Sequence, residues 1–358
     1  MHFQRRNLGH LWSAILIFIS SSACAAPVLS PSLLWDNETV STFGGGLRAG
    51  TTYDGMLLAA LDARTDSLGA GSVGILHFSF LAVRSGQPSA RYIGDFQSAS
   101  NIEAPNATRL YSAWFRQTWA HVNTVQIGLI DLNTLFDVTD AAGLLLNASF
   151  GLDPTLSGNL PVSTYPEPGY GLVLGRQEGA FNLRAGLFQA DPTLRTRLAS
   201  NGALAIAELD FGYTTDAPTQ LGLGLWRYRQ PDPTLAPTDL SGGYINFSQT
   251  LTDGPVRRAR AFLRLGFAPT NDSTVPQHLS FGVDIAAPLA SRPDDRLALG
   301  VTRAALRGLD TETAYEATYQ FALTPQLALQ PDLQFIRNLS GSSHNASVFS
   351  LRLQLALD

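Results

Sequence analysis

The residues of this chain that could do chemistry are spaced for binding rather than for catalysis. Four histidines follow the first 25 residues, His77, His121, His278 and His344, and their spacing fits no common metal site. The sequence contains no GxSxG nucleophile motif, and the glycine-rich segment Gly44–Gly50 leads into a predicted strand, whereas a phosphate-binding loop leads into a helix. We therefore predict that the protein is not an enzyme and holds no metal or cofactor.

One segment gathers binding groups on alternate positions. Within Arg109–Trp119, every second residue is polar or aromatic: Ser112, Trp114, Arg116 and Thr118. Alternate residues of a β-strand project from the same face, so these four side chains would lie together. A guanidinium donates hydrogen bonds in a planar fork, a hydroxyl donates and accepts, and an indole offers a flat apolar face. These groups suit noncovalent binding through hydrogen bonds and stacking.

The same two-residue period recurs through most of the chain. In the final segment, Ser347–Asp358, one face would be wholly apolar and the other small or polar with one arginine. The apolar positions are Phe349, Leu351, Leu353, Leu355 and Leu357, and the opposite positions are Ser350, Arg352, Gln354 and Ala356. Such a strand fits a soluble sheet with its polar face in water, or a membrane barrel with its apolar face in lipid.

The number and spacing of these segments favour the barrel. We predict about fifteen segments of roughly 8–12 residues and a sixteenth at Thr39–Gly45, and membrane barrels have even strand numbers. Short links at 120–123 and 178–180 are predicted to be periplasmic turns, and the long links at 85–108 and 132–169 to be extracellular or lumen-folded loops. The predicted fold is all-β: a transmembrane antiparallel up-and-down β-barrel of about 16 strands.

The polar positions of these segments also favour a lumen over bulk water. They hold mostly Gly, Ala, Ser and Gln, whereas the solvent face of a soluble sheet is dense in Lys, Glu and Thr. Beyond the N-terminal segment, no run of about 18 apolar residues would make a spanning helix. Aromatic residues at segment ends are predicted to form girdles at the two membrane interfaces. They are Trp119, Phe211, Tyr213, Trp226, Tyr228 and Phe335.

The first 25 residues are predicted to be a signal peptide that is cleaved on export. Two arginines form its positive region, Leu11–Ile19 its apolar core, and Ala23–Ala25 a small-x-small cleavage pattern. A twin-arginine signal and a lipid-modified Cys24 are alternatives that fit less well, because the pattern around the arginine pair is incomplete and Ser21 replaces the bulky aliphatic residue of a lipobox. Residues 26–358 are predicted to form a single outer-membrane barrel domain.

Composition narrows the possible partners. The 358 residues are 45% hydrophobic and 15% charged, with a formal net charge of −5. All the basic residues are arginines, and the low charged share with a small negative net charge gives no indication of nucleic-acid binding. The expected surroundings are outer-membrane lipid.

Several stretches resemble the carbohydrate-selective porins of the OprB family. They cover most of the mature chain and occur in the family's order: 101–119, 125–138, 144–157, 162–174 and 315–338. The resemblance implies a 16-stranded outer-membrane barrel through which sugars diffuse passively. The chain departs from the family pattern in being short, in ending with Asp358 where barrels usually end with an aromatic residue, and in carrying Ser112 where the motif has a glutamate.

A channel that binds sugars needs planar hydrogen-bond donors such as guanidinium groups, hydrogen-bond acceptors and an aromatic ring. A hexose presents hydroxyls around its ring and C–H groups on its faces. We predict that Trp114 stacks on the sugar and that Arg116 donates to its hydroxyls, with Ser112 beside them. Further lining residues are predicted from the inward positions of other segments: Arg48, Arg184, Glu208, Arg264, Glu316 and Asp332, with Asp210, Asp284 and Arg352 as additional candidates. The structural alternative is that these charges pair to hold a loop against the wall.

Three functions remain compatible with these residues. The favoured one is a passive channel that prefers small sugars; the others are a general or weakly anion-selective porin, and a plugged barrel with a structural or adhesive role. Balancing acidic residues argue against strong anion selectivity. The barrel is expected to act as a monomer or a homotrimer.

Overall fold

The computed structural model describes residues 28–65, 72–120, 122–194, 202–212, 218–231, 239–254 and 258–358. The predicted signal peptide, His121 and Tyr213 lie outside these residues. Within the described ranges, sixteen strands each pair antiparallel with their neighbours in sequence, and β1 pairs with β16 to close the barrel. No helix in these ranges is both long and apolar enough to cross a membrane.

The strands account for most of the described chain. They are β1 Val28–Gly45, β2 Gly50–Thr65, β3 Val73–Ser85, β4 Ala107–Trp119, β5 Asn123–Ile130, β6 Gly169–Glu178, β7 Phe181–Gln189, β8 Ala203–Phe211, β9 Thr219–Arg229, β10 Asp239–Asp253, β11 Arg258–Phe267, β12 Gln277–Ala286, β13 Arg296–Ala305, β14 Glu312–Ala322, β15 Leu327–Arg337 and β16 Asn345–Leu357. The short helical turns are Ser89–Ile93, Leu132–Thr134, Asp140–Ala142, Ala148–Phe150, Pro154–Ser157, Pro192–Leu194 and Leu339–Gly341. The predicted fold class and strand number are confirmed.

The two faces of the strands are the predicted ones. On β16, Phe349 and Leu351 are exposed on the outer surface, while Arg352 between Leu351 and Leu353 is buried inside the barrel. Both ends of the described chain lie at the barrel end with the short connections, such as 179–180, which is the periplasmic end. The long connections therefore lie at the extracellular end.

The aromatic prediction holds only in part. Trp119, Phe211 and Phe335 are exposed on the outer surface at strand ends. Trp226 and Tyr228 were wrongly assigned to a girdle, since they are 3% and 2% exposed and face the interior. They alternate with outward-facing residues of β9, so the period of two places them in the lumen, where the 131–168 loop covers them.

Two long loops fold into the lumen and pack on the inner faces of the strands. The 131–168 loop packs on the inner faces of β5–β10 in a large apolar cluster. This cluster includes Leu132, Phe136, Leu156, Phe188, Trp226, Tyr228 and Tyr244. The 86–106 loop packs beside it and is joined to it by backbone hydrogen bonds, including one from Asn101 N–H to the Leu146 carbonyl at 2.7 Å.

Glycines on the inner faces make room for this packing. A Cβ at Gly300 would lie 2.7 Å from side-chain atoms of Leu145 and Phe150, and one at Gly266 would lie 2.2 Å from the Asp153 carboxylate. Larger residues at these positions would push the loop off the wall. The glycine-rich strands therefore reflect the loops that pack on them.

Candidate functional site: the lumen

Arg264 of β11 is the main anchor of the 131–168 loop. It is fully buried, and its guanidinium forms an ion pair with Asp137 at 2.9 Å. The same guanidinium donates to the carbonyls of Phe150 and Gly151, the latter at 3.0 Å. A buried arginine that satisfies a carboxylate and several carbonyls fixes the loop at two separate points.

Acidic residues of β8 and β14, three strands to either side of β11, hold backbone N–H groups of the same loop. Glu316 accepts hydrogen bonds from the N–H groups of Leu146 and Asn147. Glu208 accepts from the Asp137 N–H at 2.7 Å and also pairs with Arg184. Because an N–H that leaves water needs an acceptor, these carboxylates satisfy the irregular backbone of the loop inside the barrel.

The 86–106 loop is anchored in the same manner. Glu312 of β14 accepts from the N–H groups of Phe96 and Gln97, each at 2.8 Å. On the other side, Arg352 donates to Glu38 and to the side chain of Asn101, the latter at 2.8 Å. The barrel wall thus holds both loops through charged residues on its inner face.

Glu103 of the 86–106 loop lies near two other carboxylates, those of Asp54 and Asp95. Burial, together with the nearby charges of Asp54 and Asp95, raises the pKa of Glu103 to about 7. Its carboxyl group accepts from the Ser89 hydroxyl at 2.6 Å and from the Ser89 N–H. The docked loop therefore favours the protonated acid.

This raised pKa predicts how docking of the loop depends on pH. When the loop is undocked, Glu103 has an ordinary pKa near 4.5, so between that value and about 7 the docked form holds the extra proton. Docking should weaken as pH rises through this window and level off above it. We expect hydrogen-exchange protection of the loop amides, corrected for intrinsic rates, to fall about 70-fold from pH 5 to pH 8.

Glu103→Gln should remove this dependence, because an amide stays neutral and still accepts the hydrogen bonds. The matched control is Glu178→Gln, at a residue whose side chain is 75% exposed in a periplasmic turn. Equal pH dependence in wild type and Glu103→Gln would contradict the assignment.

The predicted binding face on β4 lies at the edge of the apolar cluster of the 131–168 loop, against which Trp114 packs. Trp114 and Arg116 are both partly exposed there, and the guanidinium carbon of Arg116 lies 4.8 Å from the centre of the Trp114 ring. The Arg116 Nε–H donates to the Gln126 side chain at 2.7 Å, which sets the orientation of the fork. The indole and the guanidinium therefore form one unit.

His77 of β3 completes this group. Its ring stacks on the Trp114 ring, with centroids 4.6 Å apart and planes 8° apart. Its two nitrogens lie 2.7 Å from an Asp62 carboxylate oxygen and 2.9 Å from the Ser112 hydroxyl. His77 therefore covers one face of the indole, and Ser112 contributes by orienting His77.

A polar cavity lies further along the same wall, beneath the start of the 131–168 loop. Its volume is about 340 Å³, and its wall side chains include Arg184, Asp210 and Gln220. Arg184 pairs with Asp210 at 2.6 Å, and Thr139 and Asp140 line the cavity from the loop. This cavity offers hydrogen-bond donors and acceptors and charged side chains of both signs.

Strand register relates the binding face on β4 to the cavity beside Arg184. Thr118 pairs with Thr124, which pairs with Gly175, which pairs with Arg184. Arg184 therefore lies three strands from β4, about 14 Å along the wall at the usual strand spacing. The residues between them are small or polar, so the wall is continuous from one place to the other.

The structure divides the candidate residues into three groups. Ser112, Trp114 and Arg116 lie together on β4, and Arg184 lies with Glu208 and Asp210 beside the cavity. Under the loops lie Arg264, Glu316, Asp332 and Arg352. Arg48 is apart from all of these, in the bend between β1 and β2 at the extracellular end, where it lies over the Tyr92 ring. Asp284 pairs with Arg296 at 3.0 Å, near the periplasmic end.

The sequence reasoning did not select His77, Asp62 or Gln126. Alternation places all three on inner faces, and this signal was available. The spacing of the histidines bears only on metal sites, and the pairing of His77 opposite Trp114 is a property of strand register. In the described part of the chain, no three acidic, histidine or cysteine side chains form a metal site.

The closed sixteen-strand barrel, with loops folded into its lumen and an apolar outer surface, is that of an outer-membrane porin. Residues 48–357 match the carbohydrate-selective porin family OprB, and the chain belongs to this family. It is a passive outer-membrane channel that prefers carbohydrates. Family membership thus favours the first of the three functions considered from the sequence.

Solved structures show the same fold. The high-pH structure of Pseudomonas putida OprB is 17% identical, with a TM-score of 0.80, covering 92% of this chain and 94% of that one. Its low-pH structure has a TM-score of 0.59 at 17% identity, with 92% of each chain covered. A variant of the Rh. blastica porin is 12% identical, with a TM-score of 0.64, covering 92% of this chain and 100% of that one. A comparison with curated proteins found no match.

Proposed function

We propose that sugars cross the lumen in two steps, first at Trp114 and Arg116 and then at the cavity beside Arg184. The observation that carries this proposal is the partly exposed indole and guanidinium on an inner wall that is largely covered by the two loops. The C–H groups of a sugar would contact the part of the indole that His77 and Arg116 leave exposed. Its hydroxyls would bind Arg116 and, further along, Arg184 and Asp210.

Weak binding at each step is consistent with transport. A channel conducts only if the solute leaves as readily as it enters, so millimolar affinity, about 4 kcal/mol, is the useful range. The cavity is large enough to hold a small sugar with some of its water. Because the contacts are divided between two places, binding of the sugar is weak at each place.

The remaining candidate residues would act on the path through the loops. Arg264, Glu208, Glu316 and Asp332 would fix the loops that narrow the lumen, and Arg48 would lie at its extracellular entrance. We propose that the protein performs no chemistry on the sugar. We also propose that residues 26–358 form one domain after signal cleavage, and that it works as a monomer or a homotrimer.

Trp114→Ala tests the first step. Loss of the stacking surface should cost about 1 kcal/mol of binding, about fivefold in Kd, and should raise the sugar concentration at which flux is half-saturated by the same factor. Arg116→Ala should lower the flux of sugars relative to neutral non-sugars of equal size. Both are measured by liposome swelling with a panel of size-matched solutes.

Trp119→Ala is the matched control, because Trp119 is on the same strand but faces outward and is 42% exposed. It should leave the sugar preference unchanged. If both lumen variants kept the wild-type ratio of sugar to non-sugar flux, this path would be wrong. A change in the flux of all solutes alike would show instead that the pair only supports the wall.

A further inference from the structure

Two arginines on the outer surface have charges that the described part of the protein does not neutralise. Arg303 is near the extracellular end of β13, and Arg337 is the last residue of β15. Both are exposed and face outward, since the adjacent Thr302 and Ile336 are buried inside the barrel. Within the described ranges, neither guanidinium forms an ion pair or a hydrogen bond.

Strand register places these two arginines at one level. Arg303 pairs with Thr313 of β14, and Thr313 pairs with Arg337. Adjacent strands are about 4.8 Å apart, so the two Cα atoms are about 10 Å apart with a threonine between them. Thr313 faces outward yet is only 9% exposed. Two guanidinium forks on either side of a hydroxyl are a suitable arrangement for a phosphate group.

The level below the arginines is aromatic. Two residues along each strand towards the periplasm, the outward positions of β12, β14 and β15 are Phe281, Tyr315 and Phe335, and that of β13 is Val301. The Tyr315 and Phe335 rings stack with centroids 6.5 Å apart. Aromatic residues at this depth mark the boundary between lipid headgroups and acyl chains, so the arginines above them lie at headgroup level.

One apolar groove runs down the same surface below the arginines. This deeper groove, of about 670 Å³, lies between Phe281, Leu299 and Leu333. A smaller pocket of about 390 Å³, lined by Leu279, Arg303 and Thr311, lies between the level of Arg303 and the extracellular strand ends. The deeper groove forms because small residues, including Ala261 and Ala317, occupy outward positions between larger ones.

We propose that this surface of β11–β15 binds a phosphate-bearing, multiply acylated lipid of the outer leaflet. The phosphate would lie between Arg303 and Arg337, above the Thr313 hydroxyl, and acyl chains would fill the deeper groove. Basic residues at headgroup level attract anionic lipids, and a groove that opens into the bilayer is filled by acyl chains. This site is on the opposite side of the wall from the sugar path and does not depend on it.

Another outward arginine shows why this pair is distinctive. Arg227 faces outward near the extracellular end of β9 and pairs with Asp239 at 3.0 Å. Its charge is already balanced by the protein. The acidic residue in the connection between β13 and β14 is Asp310, which would oppose phosphate binding, so removing it should not weaken the site.

Native mass spectrometry of the full chain in detergent tests the proposal. The probes are diphosphorylated lipid A, the same lipid with both phosphates removed, and inorganic phosphate. The double variant Arg303→Gln/Arg337→Gln should bind lipid A at least about tenfold more weakly than wild type. Arg227→Gln is the matched control and should bind it as wild type does. Ala317→Phe, which fills the deeper groove without altering an arginine, should also weaken binding.

Each alternative has its own outcome. Equal binding of phosphorylated and dephosphorylated lipid would overturn the role of the arginines, as would unchanged binding by the double variant. Inorganic phosphate binding as tightly as lipid A would exclude a role for the deeper groove. If the double variant lost a second copy of the chain while keeping its lipid, the surface would be a subunit contact instead. Unchanged heat-dependent mobility on detergent gels would confirm that every variant is folded.

Discussion

Arg264→Met should release the 131–168 loop and lower the free energy of unfolding by about 3–5 kcal/mol, because it leaves the buried Asp137 carboxylate without its cation. The carbonyls of Phe150 and Gly151 would lose their donor as well. With the loop detached, the lumen should widen. Single-channel conductance in planar bilayers should rise, and larger solutes should pass in liposome swelling.

Arg260→Met is the matched control for this prediction. Arg260 is on the inner face of the same strand, but its guanidinium binds the side chains of Gln220 and Ser248 and no loop residue among its described contacts. Its loss should cost less and leave conductance nearly unchanged. Adding Asp137→Asn to Arg264→Met should recover part of the stability, since the unpaired buried charge is removed. Normal conductance and stability in Arg264→Met would show that the loop is held by its apolar cluster alone.

Leu353→Arg on β16 should destabilise the barrel by about 2–4 kcal/mol if this position is near the middle of the bilayer. The side chain belongs to the apolar outer face, and its neighbours in register are Asn37 and Leu329. An arginine there would have to reach the interface through hydrocarbon. Urea unfolding of the protein in lipid vesicles measures the change.

Leu357→Arg makes the same change at the periplasmic end of the strand and should cost about 0–1 kcal/mol. Its side chain is 43% exposed. The difference between the two variants separates membrane depth from loss of leucine packing. Were Leu353→Arg harmless while Arg352→Leu blocked insertion into the membrane, the inner and outer faces would be reversed.

Much of the wall could be predicted from the sequence, because the side-chain period of a strand is local. In β11, the alternation of Arg260, Phe262 and Arg264 with Ala261 and Leu263 already separates lumen from lipid. Even-numbered barrels and the alternation of short and long links then lead to sixteen strands. The girdle prediction is wrong for Trp226 and Tyr228 because it rests on their position near the end of a strand. The alternation of β9 places both side chains in the lumen.

The roles of the inner charges could not be assigned in this way. Arg264, Glu316 and Arg116 all occupy inward positions, and nothing in their local sequence distinguishes a loop anchor from a residue of the sugar path. The difference arises from which residues of the two long loops pack above each of them, and these lie far away in sequence. Glu316, for example, holds N–H groups of Leu146 and Asn147.

The sequence by itself determined the barrel, its two faces and the β4 residues that face the lumen, since all of these follow from a repeating two-residue period. Only the tertiary structure decided that His77 stacks on Trp114, that Arg264 is covered by a loop, and that Arg303 and Arg337 lie at one level. The first two depend on strand register and on how the loops fold back. The third depends on pairing across three strands, for which alternation within one strand carries no information.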